Sequence, residues 1–309
     1  MGRLLITFFI YITIFLFGMS VMKIALANAA EYRLKRAIYK LTDNPLKGLV
    51  VGTLATALVQ SSSAVTVITV GSVSTGLLSF RQTVGVILGT NIGTTITGEI
   101  AALPVGKLHW ALLVVGCALL CTARQKAFLA GAFCFGLGCL YTAMHGFTAL
   151  AEPMEGLAPM QTVLQHMEAS PLLALLVGAV FTAVIQSSSA TTLIAMGLLN
   201  AGTLSLAAGI AVMLGANVGT CATALIASVG SGRAARWTAY THALFNAIGA
   251  LAFLPLIQPF STWAGTKAMT PGAALAHASV LFNVISALLA LPFSSAYGRW
   301  VEQRLAGKK

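Results

Sequence analysis

Gln60-Ser61-Ser62-Ser63-Ala64 stands in the middle of one apolar stretch, 48–75, and Gln186-Ser187-Ser188-Ser189-Ala190 in the middle of another, 172–199. A straight helix through either stretch would run ~42 Å, against a hydrocarbon core of about 30 Å. The polar tract divides each stretch into halves of ~20 Å, which pass a bilayer midplane without reaching the far side. The spacing therefore predicts a re-entrant helical hairpin in each stretch, with the polar tract at its tip. A tip within a membrane must satisfy its free backbone groups, so it must line a polar cavity.

The two stretches are copies. Adding 126 to residues 52–97 gives 178–223 without a gap, and 21 of the 46 positions are identical. The matches include Gly52/Gly178, Thr56/Thr182, Gln60/Gln186, Thr66/Thr192, Gly89/Gly215, Asn91/Asn217, Gly93/Gly219, Thr94/Thr220 and Thr97/Thr223. Apolar composition alone would pair Leu with Val, but it would not align Gln, Asn, Thr and Gly.

Working outward, 58% of the 309 residues are hydrophobic and 8% are charged. Soluble domains carry roughly 25% charged residues, and a chain this apolar cannot present a wettable surface. The expectation is an all-α, polytopic membrane protein forming one transmembrane domain, 1–309. Repeat units are expected at 31–107 and 152–237. The +11 charge is spread between apolar segments, as in loops facing anionic lipid headgroups, which argues against nucleic acid. The five cysteines lack zinc or redox spacing and read as inert buried thiols. Ala25-Leu26-Ala27 resembles a signal-peptidase site, but the apolar run 4–22 before it is long for a leader. Residues 4–30 are read as a retained transmembrane helix.

Further apolar segments at 83–103, 108–123, 127–151, 203–228, 238–257 and 274–293 bring the expected crossings to seven, beside the two hairpins. With both QSSSA stretches re-entrant, 14 of the 18 Lys and Arg fall on one side, which the positive-inside rule makes cytoplasmic. Single crossings there would divide the loops' basic residues 12 to 5. Re-entry places the N-terminus outside and the C-terminus inside, and it makes the copies inverted repeats, an architecture of many secondary transporters.

Six hydroxyls and two amides, from Gln60, Ser61, Ser62, Ser63, Gln186, Ser187, Ser188 and Ser189, could hydrogen-bond a tetrahedral oxyanion. Ser is a good N-cap for the returning half-helix, whose free N–H groups attract anions. Inversion is expected to bring both tips together near the midplane. Gly89-Thr90-Asn91-Ile92-Gly93-Thr94-Thr95 and Gly215-Ala216-Asn217-Val218-Gly219-Thr220-Cys221 suggest a turn that is either unwound or closely packed. Their oxygens are hard ligands suited to sodium. The candidate sodium-binding residues are Thr66, Asn91, Thr94, Thr95, Thr192, Asn217, Thr220 and Thr223. Glu99, opposite Leu225 in the second copy, is divided between a functional and a snorkelling reading. His145 and His242 read as hydrogen-bonded packing residues.

These motifs resemble the type II sodium–phosphate cotransporter family, including its short bacterial members. The resemblance rests on the two QSSSA tracts, on GTNIGTT at 89–95 and GANVGT at 215–220, and on Thr241-His242-Ala243-Leu244-Phe245-Asn246, with an echo at Leu281-Phe282-Asn283. It covers about residues 46–290. It implies sodium-coupled import of inorganic phosphate across the bacterial inner (cytoplasmic) membrane, with phosphate at the QSSS tips and sodium nearby. Ala216 and Cys221 depart from Thr90 and Thr95 of the first copy, and no PhoU-like regulatory domain is expected.

The partners expected are inorganic phosphate, sodium, the lipid bilayer and a second copy of the chain as a homodimer, with no cofactor. A symporter of another oxyanion or small carboxylate, or an anion channel, would share most of these features. A serine hydrolase would need an activating base, and neither hairpin holds Asp or His.

Overall fold

Fourteen α-helices and one 3₁₀ turn make up the regular structure in the computed structural model, which describes residues 2–40 and 44–306. In chain order these are α1 (Gly2–Lys40), α2 (Pro45–Val59), α3 (Ser62–Ser74), α4 (Phe80–Ala102), α5 (Leu108–Leu120), α6 (Gln125–Glu155) and α7 (Ala158–Ala169). There follow α8 (Pro171–Ile185), α9 (Ser188–Asn200), α10 (Leu206–Gly219), α11 (Cys221–Ala227), α12 (Arg233–Phe253), α13 (Ile257–Gly265) and α14 (Pro271–Ala306). Among the described residues there is no strand.

The duplication is visible in the element boundaries. The starts of α2, α3 and α4 lie 126 positions before those of α8, α9 and α10. Local chemistry sets the starts: Asn44 and Ser170 accept from the backbone N–H of Lys47 and Leu173, and Pro occupies the first helical position of α2 and α8, where its missing N–H costs nothing.

Glycine then sets the packing. A Cβ on Gly52 would overlap the carbonyl oxygen of Val86, one on Gly89 that of Leu49, and one on Gly93 that of Thr53. In the second copy Gly178, Gly215 and Gly219 meet Val212, Leu175 and Ala179 in the same way. Small residues thus bring backbones together, as they do between membrane helices, locking α2 onto α4 and α8 onto α10. The main core gathers Phe15 and Met19 of α1, Tyr141 of α6, Leu193 and Met196 of α9, and Met213 of α10.

Among the described residues, five helical stretches are long and apolar enough to cross a membrane: Gly2–Asn28, Gln125–Glu155, Leu206–Ala227, Arg233–Gly265 and Pro271–Leu305. Two of the seven expected crossings come out differently. At 13 residues α5 is ~20 Å long, short of a bilayer core. At 23 residues α4 has the length, but it carries Arg81, Asn91, Glu99 and five threonines. The segment expected at 238–257 begins earlier and runs through α12 into a 3₁₀ turn at Pro255 and on to α13, since proline offers no N–H to continue an α-helical ladder. Helix also replaces most of the loop expected at 31–47, because α1 continues to Lys40. Residues 41–43 of that loop, residues 307–309 of the basic tail, and the side chains of Arg33, Lys35, Arg36 and Lys40 lie outside the described residues. The thiols differ too: Cys139 and Cys221 are buried, but Cys117 and Cys121 are exposed on α5 and at its end.

Candidate functional site

Each QSSSA tract forms a helix–turn–helix corner. Gln60 and Gln186 are the two non-glycine residues with positive φ among those described, at 55° and 60°. Both side chains hold the turn. Gln60 Nε2 donates to the carbonyl of Ala57 at 2.6 Å, and Gln186 Nε2 to that of Ala183 at 2.7 Å. Their Oε1 atoms accept from the hydroxyls of Thr97 and Thr223, at 2.7 and 2.6 Å. The glutamines therefore cap the incoming helices and tie each corner to the end of the long motif that follows it.

Ser61 and Ser187 are side-chain N-caps of α3 and α9, each accepting from a backbone N–H, Ala64 and Ala190, at 3.2 Å. The N–H groups of Ser62 and Ser63, and of Ser188 and Ser189, belong to first helical turns and have no intrahelical acceptor. Their hydroxyls are free of protein partners among the described residues. Each corner thus offers two N–H groups and two hydroxyls, backed by the positive end of a helix dipole.

The second corner opens on a small polar cavity of about 20 Å³, the space of about one water-sized particle. Ser188, Ser189 and Thr192 of α9 line it, with Asn91, Thr94, Thr95 and Gly98 of α4, Asn217 of α10 and Ser279 of α14. No charged side chain is among these residues. Thr94 and Thr95 donate to the carbonyls of Thr90 and Ile92 at 2.8 and 2.7 Å. With their hydrogens so engaged, their oxygens can only accept or coordinate, which suits a cation and not an anion. Ser188 and Ser189 keep their hydrogens and suit an anion.

The other sequence candidates lie apart from this cavity. Ser62 and Ser63 are not among its lining residues, so the two tips do not share it. Thr66 is buried and its hydroxyl has no partner among the described residues. Thr220 donates to the carbonyl of Ala216, and Thr223 serves Gln186. Of the two readings left open for the glycine-flanked asparagines, close packing prevails in α4: the helix is continuous through Gly89–Thr95 and frees no carbonyl there. In the second copy the helix breaks at Thr220, between α10 and α11. A larger apolar cavity of about 260 Å³, between α1, α6, α7, α8 and α9, offers almost no polar group.

Asn246, Asn283 and Ser279 are the residues that the sequence-based candidates lacked. Asn91 Nδ2 donates to Asn246 Oδ1 at 2.8 Å, and Asn217 Nδ2 to Asn283 Oδ1 at 3.3 Å. The one signal for them was Leu-Phe-Asn occurring at both 244–246 and 281–283. Glu99 pairs with His277 Nδ1 at 2.9 Å, joining α4 to α14 beside the cavity wall. The imidazoles of His242 and His145 both pack: His242 is buried beside Asn91, and His145 lies against the ring of His109. No group of three or more His, Cys, Asp or Glu able to hold a metal ion occurs among the described residues.

The family model described as "Na+/Pi-cotransporter" matches residues 14–149 and 154–288. "Uncharacterized protein YqeW" of Bacillus subtilis is 38% identical over 277 residues, 90% of each chain. "Putative inorganic phosphate export protein YjbB" of Escherichia coli is 25% identical over 265 residues, 85% of this chain and 49% of that one. "Sodium-dependent phosphate transport protein 2B" of Homo sapiens is 56% identical over 61 residues, 20% of this chain and 9% of that one. The chain thus spans about half the length of the first phosphate-named relative and a tenth of the second. No solved structure matches it significantly. The chain belongs to the Na+/Pi-cotransporter family, a family of transporters and not of enzymes.

Proposed function

We propose that the chain is a sodium-coupled symporter that imports inorganic phosphate across a bacterial inner membrane. The corners at Gln60–Ser63 and Gln186–Ser189 are the tips of re-entrant hairpins in inverted repeats, with the N-terminus outside and the C-terminus inside. Phosphate is held by the free N–H groups and hydroxyls of the serines, those of Ser188 and Ser189 in this conformation and those of Ser62 and Ser63 as well when the cavity widens, with the glutamines setting the turns. Sodium is held by Thr94, Thr95, Thr192 and Asn217, with Asn91 in the wall of the same cavity. Thr66, Thr220 and Thr223 lie apart from this cavity and are not ligands in this reading. The surrounding apolar side chains face the lipid bilayer.

One observation carries this reading: a single cavity places hydroxyls with free hydrogens, from Ser188 and Ser189, beside threonine oxygens whose hydrogens are already engaged. An anion and a cation side by side would use the two sets. Without Lys or Arg in the cavity, helix N-termini of about half an elementary charge are a weak counterweight to burying a multiply charged anion. A co-bound cation neutralises it at short range. The cavity has space for about one small particle, so this conformation must widen to admit phosphate.

The export named for the Escherichia coli relative favours a second reading, in which the same site works outward. Radiolabelled phosphate flux in proteoliposomes, with sodium gradients of either direction, tests both. Uptake that requires inward sodium supports the symporter. Flux indifferent to sodium would leave a channel or another coupling ion.

A further inference from the structure

Two copies of one hairpin should produce two copies of the cavity, yet the residues of the two half-sites differ. The counterparts of Ser188, Ser189 and Thr192 are Ser62, Ser63 and Thr66 on α3, and those of Asn91, Thr94, Thr95 and Gly98 are Asn217, Thr220, Cys221 and Ala224. The Leu-Phe-Asn register extends the comparison to the covering helices, α12 on α3 and α14 on α9. Asn246 and Asn283 each pair with a repeat asparagine, so the residue four positions earlier on α14, Ser279, corresponds to His242 on α12. Around α3 an imidazole therefore replaces a hydroxymethyl group, a thiol replaces a hydroxyl, and a methyl is added.

Those replacements leave little for a hard cation. His242 is 1% exposed, and its Nε2 lies 3.4 Å from Asn91 Oδ1. An amide oxygen can only accept, so Nε2 donates and engages one of the two lone pairs of the Asn91 oxygen. Asn91 Nδ2 is also engaged, by Asn246, whose own Nδ2 contacts Cys221 Sγ at 3.3 Å and the His242 carbonyl at 3.0 Å. Asn217 is different: its Nδ2 serves Asn283, and its oxygen has no protein partner among the described residues. Thr192 borders the polar cavity, whereas Thr66 is 1% exposed and its hydroxyl has no partner among the described residues.

We propose that His242 closes the half-site at α3 by filling it and engaging the Asn91 oxygen, so that the cation is held on the α9 side alone, with Asn217 and Thr192 among its ligands. The duplicated motif then does two jobs, a ligand in one copy and a brace in the other. The inference rests on the sodium-coupled reading above.

The test compares Thr192→Ala with Thr66→Ala in proteoliposomes, reading the sodium concentration for half-maximal phosphate uptake. Losing one ligand on the α9 side should raise it about tenfold, while Thr66→Ala should leave it within about twofold of wild type. In a His242→Ser background, where the imidazole is gone, Thr66→Ala should become sodium-sensitive. Equal effects of the two threonine variants in the wild-type background would overturn the proposal, as would no effect of either in a protein whose uptake still requires sodium. If His242→Ser does not yield folded protein, the threonine comparison decides alone. Wild-type uptake that ignores sodium would instead reject the symport reading, and with it the basis of the inference.

Discussion

Serine at the helix starts and glutamine at the corners divide the chemistry of the QSSSA tract. Ser62 and Ser188 are first helical residues, both buried, with hydroxyls unclaimed by the protein. Replacing either with Ala should remove one charge-assisted hydrogen bond to phosphate, about 1.5–3 kcal/mol. That corresponds to a roughly ten- to hundredfold loss of phosphate affinity at unchanged expression. Wild-type affinity in both variants would reduce the serines to packing. The glutamines make a separate prediction. At φ 60° Gln186 sits where glycine is at ease, but its amide also makes two hydrogen bonds. Gln186→Ala loses those bonds and keeps the left-handed strain, so it should lower stability by about 1–3 kcal/mol. Gln186→Gly should be less harmful, because the strain goes too. Thermal unfolding of purified protein in detergent ranks the two; the opposite order would show that the backbone angle is not the constraint.

Between helices, glycine decides what can approach what. Gly89 and Gly215 hold α4 and α10 against the carbonyls of Leu49 and Leu175, whereas Gly71 in α3 has open space around its missing Cβ. Gly89→Ala and Gly215→Ala should each cost about 1–3 kcal/mol through overpacking. Gly71→Ala should be neutral or stabilising, by up to about 1 kcal/mol, because alanine loses less backbone entropy in a helix. Melting temperatures of the three variants check this, and a Gly71→Ala loss matching the other two would contradict the packing account.

Over the entire chain, the duplicated hairpins make a prediction about sidedness. Asn44 and Ser170 are equivalent caps at the starts of α2 and α8. In a cysteine-free background, Asn44→Cys should label with an impermeant thiol reagent from the cytoplasm and Ser170→Cys from outside. Labelling from one side only would exclude inverted repeats. Coupling is the second expectation. If a cation and phosphate share the cavity beside α9, each must raise the other's affinity. Phosphate binding by purified protein should therefore weaken on exchanging sodium for choline at equal ionic strength. Undiminished binding in choline would refute cation-assisted capture.

Helix content, duplication and the corners were legible from residues alone, because each rests on local or repeated chemistry. QSSSA cannot sit in a straight apolar helix without polar groups to meet it. Gln and Asn at matching positions 126 apart announce a copy. Other features depended on contacts distant in sequence. Nothing near Asn91 in the chain foretells its bonds to Asn246 and His242, more than 150 positions away. Nothing in the tract 186–190 says that its serines face α4 of the other copy. The first tip lies apart from that cavity although its sequence is the same. Hydrogen bonds between helices depend on which faces the packing turns toward each other, and here identical motifs meet different neighbours: Ser279 lines the cavity at the second corner, while His242 meets Asn91 of the first copy.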